Sequence, residues 1–125
     1  MGQINVVIGG CRDYGNYQEF CNFVDDCLLE KSKKTKIVIL SGHCSGTDMM
    51  AEKYAKEKGY ELKIFPARWS KYGTAAGPKR NKEMVEMADE VIAFWDHNSA
   101  GTKTLIEYAK KLNRNISIKK IKRSN

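Results

Sequence analysis

The sequence predicts a single α/β domain over residues 1–125, a Rossmann-like three-layer α/β/α arrangement around a mostly parallel five-stranded sheet. Five short apolar runs alternate along the chain with four segments of helical periodicity. Most of these runs have few polar interruptions, which is typical of strands buried on both faces of a parallel sheet. Three of the runs are followed directly by turns that combine glycine with hydroxyl or charged residues. At 125 residues the chain is long enough to bury a proper core.

The first two strands and helices are marked by periodicity and by caps. Residues 4–8 form the first apolar run, and Asn16 is placed to cap the helix that follows. The apolar face of that helix is Phe20, Phe23, Val24, Cys27 and Leu28. Residues 36–40 form the second strand, and Gly59 is expected to end the second helix.

The third strand, residues 61–65, alternates in polarity, and this alternation predicts a partly exposed edge strand. Residues 66–77 form a connection longer than most in compact domains, and long connections are often functional. This connection carries two aromatics and two cations, which suits a flap over a ring-bearing anion, although a plain surface loop explains it too. Gly77 and Pro78 are expected to begin the third helix.

The last strands and the fourth helix complete the alternation. Residues 90–95 form the fourth strand and residues 116–119 the fifth, with a basic tail over residues 120–125. The helix between these strands carries apolar residues at helical spacing: Leu105, Ile106, Ala109 and Leu112.

Strand order decides which turns meet. Right-handed crossovers leave a Rossmann-like order, 3-2-1-4-5, and a flavodoxin-like order that places strand 3 beside strand 1. The first order brings together the turns 9–12, 41–48 and 96–102, which combine glycines with hydroxyls or charges. We therefore expect the order 3-2-1-4-5 and a ligand site at the carboxyl ends of the strands.

The turn 41–48 leads from the second strand into the second helix. Gly42 and Gly46 allow close backbone approach to a ligand, and the N–H groups of the first helical turn favour an anion such as phosphate. The alternative is a structural turn, because Ser45 and Asp48 have the spacing of a capping box. The turn matches neither common phosphate-loop pattern, G-x-x-x-x-G-K-[ST] or G-x-G-x-x-G.

The net charge of +7 is uneven. Residues 1–50 hold five Lys/Arg and six Asp/Glu, a balance of −1, whereas residues 51–125 hold seventeen and nine, a balance of +8. A basic half suits an anionic partner, either a nucleotide or a nucleic acid, and solubility explains it equally well.

The sequence gives no sign of a membrane, metal or cofactor. There is no apolar run of membrane-spanning length and no secretion signal at the N-terminus, so we expect a cytoplasmic protein without a membrane partner. The four cysteines form no C-x-x-C pair, and ordinary thiols in a reducing compartment explain them. A nucleophile or metal pair at His43 and Cys44 is the less favoured interpretation.

Four spaced motifs cover nearly the whole chain. They are Ile8-Gly9-Gly10-x-Arg12-Asp13, Ser41-Gly42-x-x-x-Gly46-Thr47-Asp48-x-x-Ala51-Glu52, Gly77-Pro78-x-Arg80-Asn81 and Phe94-Trp95-Asp96-x-x-Ser99-x-Gly101-Thr102. In these motifs the chain resembles the SLOG superfamily, in its YspA/YpsA-like branch. The resemblance implies a Rossmann-like domain that binds a nucleotide or nucleotide derivative. The ligand-binding residues expected from it are Gly9, Gly10, Arg12, Ser41, Gly42, Gly46, Thr47, Asp48, Arg80, Asn81, Trp95, Ser99, Gly101 and Thr102.

The chemistry of these side chains indicates their roles. Arg12 and Arg80 would neutralise phosphate, which Arg binds through two parallel hydrogen bonds. Thr47 and Thr102 would hold phosphate oxygens, and Asn81 would read a base or sugar edge.

For three residues two roles stay open. Asp48 either accepts a ribose hydroxyl or caps its helix. Trp95 either stacks on a base or belongs to the core. Glu52 lies one helical turn from Asp48, so the two carboxylates are candidates for acid–base chemistry, although a solvated helix face is the simpler explanation for Glu52.

A related branch, the LOG-type phosphoribohydrolases, cleaves the bond between base and ribose 5′-phosphate. Its P-G-G-x-G-T-x-x-E signature survives here only as Gly101-Thr102, and the position of its catalytic Glu is Leu105. The branch also has an upstream arginine that helps catalysis, and Arg80 is the candidate for that role. The candidate catalytic residues are therefore limited to Asp48, Glu52 and Arg80.

Three functions follow from the sequence. The first is a module that senses or sequesters a nucleotide-derived molecule, and the second is a nucleotide hydrolase such as an N-glycosidase. The third is a single-stranded nucleic-acid binder, since the resemblance also reaches the DprA proteins. It is the least favoured, because the basic residues are mostly helical lysines without interleaved aromatics. A homo-oligomer is expected to the extent that small sheets of this kind pair through a helix face.

Overall fold

A computed structural model describes residues 2–122 of the chain, and these contain five strands and five α-helices. The strands are β1 (Gln3–Gly10), β2 (Lys36–Ser41), β3 (Glu61–Ile64), β4 (Glu90–Trp95) and β5 (Asn115–Lys120). The helices are α1 (Tyr17–Ser32), α2 (Thr47–Lys58), α3 (Trp69–Tyr72), α4 (Ala76–Met87) and α5 (Ala100–Lys111). None of these helices is long and apolar enough to cross a membrane.

The five strands form one parallel sheet in the order β3-β2-β1-β4-β5, which confirms the predicted Rossmann-like order. Strand β1 lies at the centre and pairs with β2 on one side and β4 on the other. The chain reverses its direction of travel across the sheet between these two pairings, so β1 and β4 flank the topological switch point.

Both faces of the sheet are covered by helices. Successive side chains of a strand point to opposite faces. Accordingly, Val6 and Ile8 of β1 pack with Phe20 of α1 in one apolar cluster, whereas Val7 packs with Met84 of α4 in another. Burial on both faces explains why the strands read as nearly continuous apolar runs.

The predicted caps are confirmed at two helices. The Asn16 side chain accepts a hydrogen bond from the Glu19 N–H at 3.1 Å and so caps α1. Gly59 ends α2 in the left-handed conformation at φ 74°.

The long connection and the tail differ from expectation. The connection contains the short helix α3 and a 3-10 turn (Gly73–Ala75), and α4 already begins at Ala76. Pro78 is therefore the third residue of α4, a position in the first turn where a missing N–H costs nothing. In the predicted basic tail, Lys120 ends β5 and Ile121 is buried, while residues 123–125 lie outside the described part.

Candidate functional site

A cavity of about 320 Å³ lies at the carboxyl ends of β1 and β4, beside the switch point. The turns after β1, β2 and β4 and the first turns of α4 and α5 supply its walls. Nine of the residues predicted to bind ligand line it: Gly9, Gly10, Arg12, Asp48, Arg80, Asn81, Ser99, Gly101 and Thr102.

The floor of the cavity depends on a glycine at the end of β1. A Cβ atom at Gly10 would lie 2.3 Å from the Phe94 carbonyl oxygen and 2.9 Å from the Thr47 hydroxyl. Only glycine lets β1, β4 and the start of α2 approach this closely. The close approach brings the loop after β1 against the α2 N-terminus, where the Cys11 carbonyl accepts hydrogen bonds.

Arg80 projects from the first turns of α4 and is only 8% exposed. Its Nε donates to Asn81 Oδ1 at 2.8 Å, and Nη1 donates to the carbonyl oxygen of Gly42. These bonds hold the guanidinium in one orientation at the wall of the cavity.

The Arg80 guanidinium is a buried charge whose donors are only partly used. Among residues 2–122, no carboxylate lies within 4.0 Å of it. Nη2 carries two N–H groups, and its contact is the Cys44 thiol at 3.6 Å. A buried cation without a close counter-ion favours the entry of an anion.

Asp48 is a buried carboxylate in the same cavity, with 6% exposure. Its Oδ2 accepts a hydrogen bond from the Cys44 N–H at 3.1 Å. Burial raises the pKa of Asp48 to about 6, although the Cys44 N–H and the Arg80 charge act in the opposite direction. Asp48 thus exchanges a proton close to neutral pH.

The buried carboxyl makes folding stability dependent on pH. The folded pKa of about 6 exceeds the ordinary 3.8, so the stabilising effect of the neutral carboxyl is complete below about pH 4 and is lost as pH rises through 6. Relative to Asp48→Asn, we expect the wild type to lose about 2 kcal/mol of unfolding free energy from pH 4 to 7. Urea unfolding of both proteins at several pH values measures this, and a difference independent of pH would refute it.

The first turn of α5 also lines the cavity. Ser99 precedes α5 without a side-chain cap, so the first N–H groups of the helix, at Ala100, Gly101 and Thr102, are free of i−4 carbonyl partners. The Asn81 side chain donates to the Gly101 carbonyl oxygen at 3.2 Å. Asn81 therefore links the Arg80 guanidinium to the N-terminus of α5, two features that both favour an anion.

The turn before α5 is held by its own carboxylate. Asp96 Oδ1 accepts hydrogen bonds from the N–H groups of Asn98 at 2.9 Å and Ser99 at 2.8 Å. Burial acts to raise the pKa of Asp96, but these N–H groups outweigh it and hold that pKa at about 2. Asp96 is therefore a structural anion that fixes the turn at neutral pH.

In the turn 41–48, three of the residues predicted to bind phosphate make their contacts within the chain. The space beside Gly42 is filled by the Arg80 guanidinium, 2.5 Å from where a Cβ would be. The space beside Gly46 is filled by the Arg12 carbonyl oxygen, at 2.3 Å. Both the N–H and the hydroxyl of Thr47 donate to the Cys11 carbonyl. Gly42, Gly46 and Thr47 therefore contact the chain itself, and none of them lines the cavity.

The alternative capping box is wrong. Helix α2 begins after Gly46, and no side chain caps it. Asp48 bonds the N–H of Cys44, which lies before the helix, so its side chain closes the turn rather than the helix end.

Ser41 and Glu52 lie beneath the turn and do not line the cavity. Glu52 Oε2 accepts hydrogen bonds from Ser41 Oγ at 2.9 Å and pairs with His43 Nδ1 at 2.9 Å. Glu52 is therefore a buried anchor for the turn, neither a solvated residue nor a carboxylate that shares the cavity with Asp48.

Trp95 belongs to the core side of the sheet. Its indole Nε1 donates to the Ser99 carbonyl at 3.1 Å, and its ring packs on His97 and against the apolar cluster that includes Phe94. It does not line the cavity, so base stacking by Trp95 is not supported.

Six lining residues were not predicted to bind ligand: Cys11, Asp13, Cys44, Met84, Ala100 and Leu105. Met84 lies one helical turn after Arg80, so helix periodicity was a usable signal for it. Cys11 bonds Ser99 Oγ through Sγ at 3.1 Å and is buried, and burial raises the pKa of its thiol. Cys11 lies between Gly10 and Arg12, which were both predicted to bind ligand, and this position was the sequence signal that it lines the cavity.

The connection predicted over residues 66–77 does not form a flap over the cavity, since none of these residues lines it. Trp69 and Tyr72 on α3 are instead 49% and 37% exposed. Lys71 and Lys79 lie over the Tyr72 ring. Contrary to expectation, aromatics and cations are therefore interleaved in this part of the basic half.

The fold and the cavity together define a Rossmann-like α/β protein with a polar pocket at the switch point of its sheet. The chain belongs to the YspA, cpYpsA-related SLOG family, whose family model matches residues 4–72. The match includes the turns after β1 and β2 and ends before Arg80 and α5.

A solved structure provides a second comparison. The chain is similar in fold to DNA processing protein A from Helicobacter pylori, which was studied for its single-stranded DNA binding mode. The TM-score is 0.65 at 19% identity, and the alignment covers 98% of this chain and 68% of that one. No curated protein matches the sequence.

Proposed function

We propose that the cavity binds a nucleotide or nucleotide-derived small molecule and that the protein acts as a sensor or sequestering module for it. The observation that carries this proposal is the set of contacts made by the Arg80 side chain. Its buried guanidinium has a donor atom, Nη2, with only a thiol contact, and the Asn81 side chain links it to the uncapped first turn of α5, which lines the same cavity. Both features favour the oxygens of a phosphate.

The remaining lining suits the rest of a nucleotide. A volume of about 320 Å³ lies in the range of small-molecule pockets. Asp48 is placed to accept a hydroxyl hydrogen bond, as a ribose offers, and Leu105 and Met84 supply apolar surface for a base.

The experiment is native mass spectrometry of the purified protein, alone and with AMP, ADP-ribose, NAD and cyclic dinucleotides. An adduct of intact ligand mass supports a binding module and names its ligand. No adduct with any of them would refute the proposal. The same spectra give the number of chains in each particle. The homo-oligomer expected from the sequence requires more than one chain.

Hydrolysis is the enzymatic alternative, and the same spectra separate it from binding. Released base or a lighter adduct would identify an N-glycosidase. Leu105 lines the cavity where the LOG-type resemblance requires a glutamate, and Glu52 is outside it, so Asp48 would have to act as the acid–base group. Loss of product in Asp48→Asn is then expected.

Arg12 offers a test that leaves the core intact, because its side chain lines the cavity yet is exposed. We expect Arg12→Gln to weaken nucleotide binding about 10-fold through the loss of one phosphate contact, with unchanged stability. Calorimetric titration measures the change. Arg68→Gln, an equal change at an exposed arginine outside the cavity, is the control, and equal affinities of the two variants would contradict the assignment.

Single-stranded nucleic acid is the second candidate ligand. Two observations favour it: the fold likeness to DNA processing protein A, whose binding of single-stranded DNA has been studied, and the interleaved aromatics and cations near α3.

A further inference from the structure

One segment of the chain contains several cations and no carboxylate side chain. Residues 62–82 contain six Lys/Arg and no Asp/Glu, against a net charge of +7 for the whole chain. The cations are Lys63, Arg68, Lys71, Lys79, Arg80 and Lys82. Apart from Arg80, which faces the cavity, and the half-buried Lys63, they are exposed. This basic segment runs from β3 through α3 into α4.

Trp69 is the most exposed large apolar side chain among residues 2–122, at 49%. Its ring end, Cη2, lies near Gly77 in the first turn of α4, 3.4 Å from where a Cβ would be. The helix therefore supports one part of the indole while about half of the side chain faces solvent. Such a ring is a platform on which another flat group can stack.

Tyr72 lies three residues after Trp69, on the same side of the one-turn helix α3. The Nζ atoms of Lys71 and Lys79 are 5.1 Å and 4.8 Å from the centre of its ring. This attraction holds two ammonium groups at the Tyr72 ring, three residues along the chain from Trp69. The segment thus presents an exposed indole together with paired cations.

We propose that this surface binds single-stranded nucleic acid, with a base stacked on Trp69 and neighbouring phosphates bound by Lys71 and Lys79. This proposal rests on the second candidate function, the binding of single-stranded nucleic acid, and places the bound strand outside the cavity. Stacking platforms alternating with cations are how proteins hold unpaired strands without sequence preference. A duplex does not expose the faces of its bases, and an acidic peptide has no base to stack on an exposed indole.

The test is fluorescence anisotropy of a labelled deoxythymidine oligomer over a series of salt concentrations. Trp69→Ala is expected to weaken binding roughly 5- to 150-fold with an unchanged salt slope, because stacking is lost and the charges remain. Trp69→Phe keeps an aromatic face and should restore most of the affinity. The double variant Lys71→Gln/Lys79→Gln should reduce the slope of log K against log salt by about 1.4.

Lys110→Gln/Lys111→Gln is the matched control. It removes the same charge from two exposed lysines at the far end of α5 and is expected to leave the slope nearly unchanged. Far-ultraviolet circular dichroism confirms the fold of each variant. Binding of mononucleotides in the cavity is expected to survive Trp69→Ala, which separates the two surfaces.

Each outcome has one meaning. If the wild type does not bind the oligomer, the second candidate function fails and the inference with it. If Trp69→Ala binds as the wild type does, the strand binds elsewhere and this inference alone fails. Trp69-dependent binding to phosphatidylserine–phosphatidylcholine vesicles, without binding to the oligomer, would assign the surface to a membrane and also overturn it.

Discussion

Replacing Arg80 with alanine is expected to weaken nucleotide binding roughly 100-fold and to lower the unfolding free energy by about 3 kcal/mol. The change removes the donors to Gly42 and Asn81 and leaves buried polar atoms unpaired. It also removes the cation that lowers the pKa of Asp48, so that pKa rises further. Urea unfolding and calorimetric titration measure the two effects separately.

Arg80→Lys is the control for charge. Lysine keeps the positive charge but cannot donate to Asn81, Gly42 and a phosphate at once, since it lacks the guanidinium fork. We expect intermediate binding and intermediate stability. Full nucleotide affinity in Arg80→Ala, measured under conditions where the variant is folded, would show that Arg80 is purely structural.

Gly46→Ala is expected to destabilise the fold by more than about 4 kcal/mol, enough to prevent folding of a marginally stable domain. The added Cβ would lie 2.3 Å from the Arg12 carbonyl oxygen and 2.7 Å from that of Cys11, and both belong to backbone. To accommodate it, α2 would have to separate from the loop after β1. Expression in soluble form and thermal unfolding are the measurements.

Gly59→Ala measures the cost of a left-handed alanine without a clash. Gly59 has φ 74° and ψ 23°, and nothing lies within 4 Å of its missing Cβ, whereas Gly46 has φ 71° and ψ −120°, so backbone strain of a different kind adds to the clash at Gly46. Only the cost of a left-handed alanine remains there, about 1 kcal/mol. If the two variants lost equal stability, the close packing at Gly46 would be refuted as the cause.

The sheet and its strand order were predictable because the signals for them are local. Apolar runs such as residues 36–40 identify strands, and the right-handed crossover rule leaves few ways to arrange them. The boundaries of α3 and α4 were harder to predict from the sequence. A one-turn helix has no periodicity to read, and Pro78 is compatible with several positions of the first turn.

The site was predictable where a residue follows a central strand and failed where a glycine had two explanations. Gly9 and Gly10 at the end of the central strand β1, and Arg12 just after it, line the cavity as expected. In a sequence, a glycine that admits a ligand cannot be distinguished from one that admits another part of the chain. Gly46 admits another part of the chain, the carbonyl group of Arg12. Its neighbour Thr47 donates a hydrogen bond to the carbonyl oxygen of Cys11, 36 residues earlier.

The most direct measurement is an amide nitrogen–proton correlation spectrum of labelled protein, titrated with the nucleotide that native mass spectrometry identifies. Binding in the cavity predicts saturable shifts at Gly9, Gly10, Gly101 and Thr102, the backbone amides that line it. Arg12→Gln should require more ligand for the same shifts. Shifts confined to residues outside the cavity, or no shifts at all, would contradict nucleotide binding at this site.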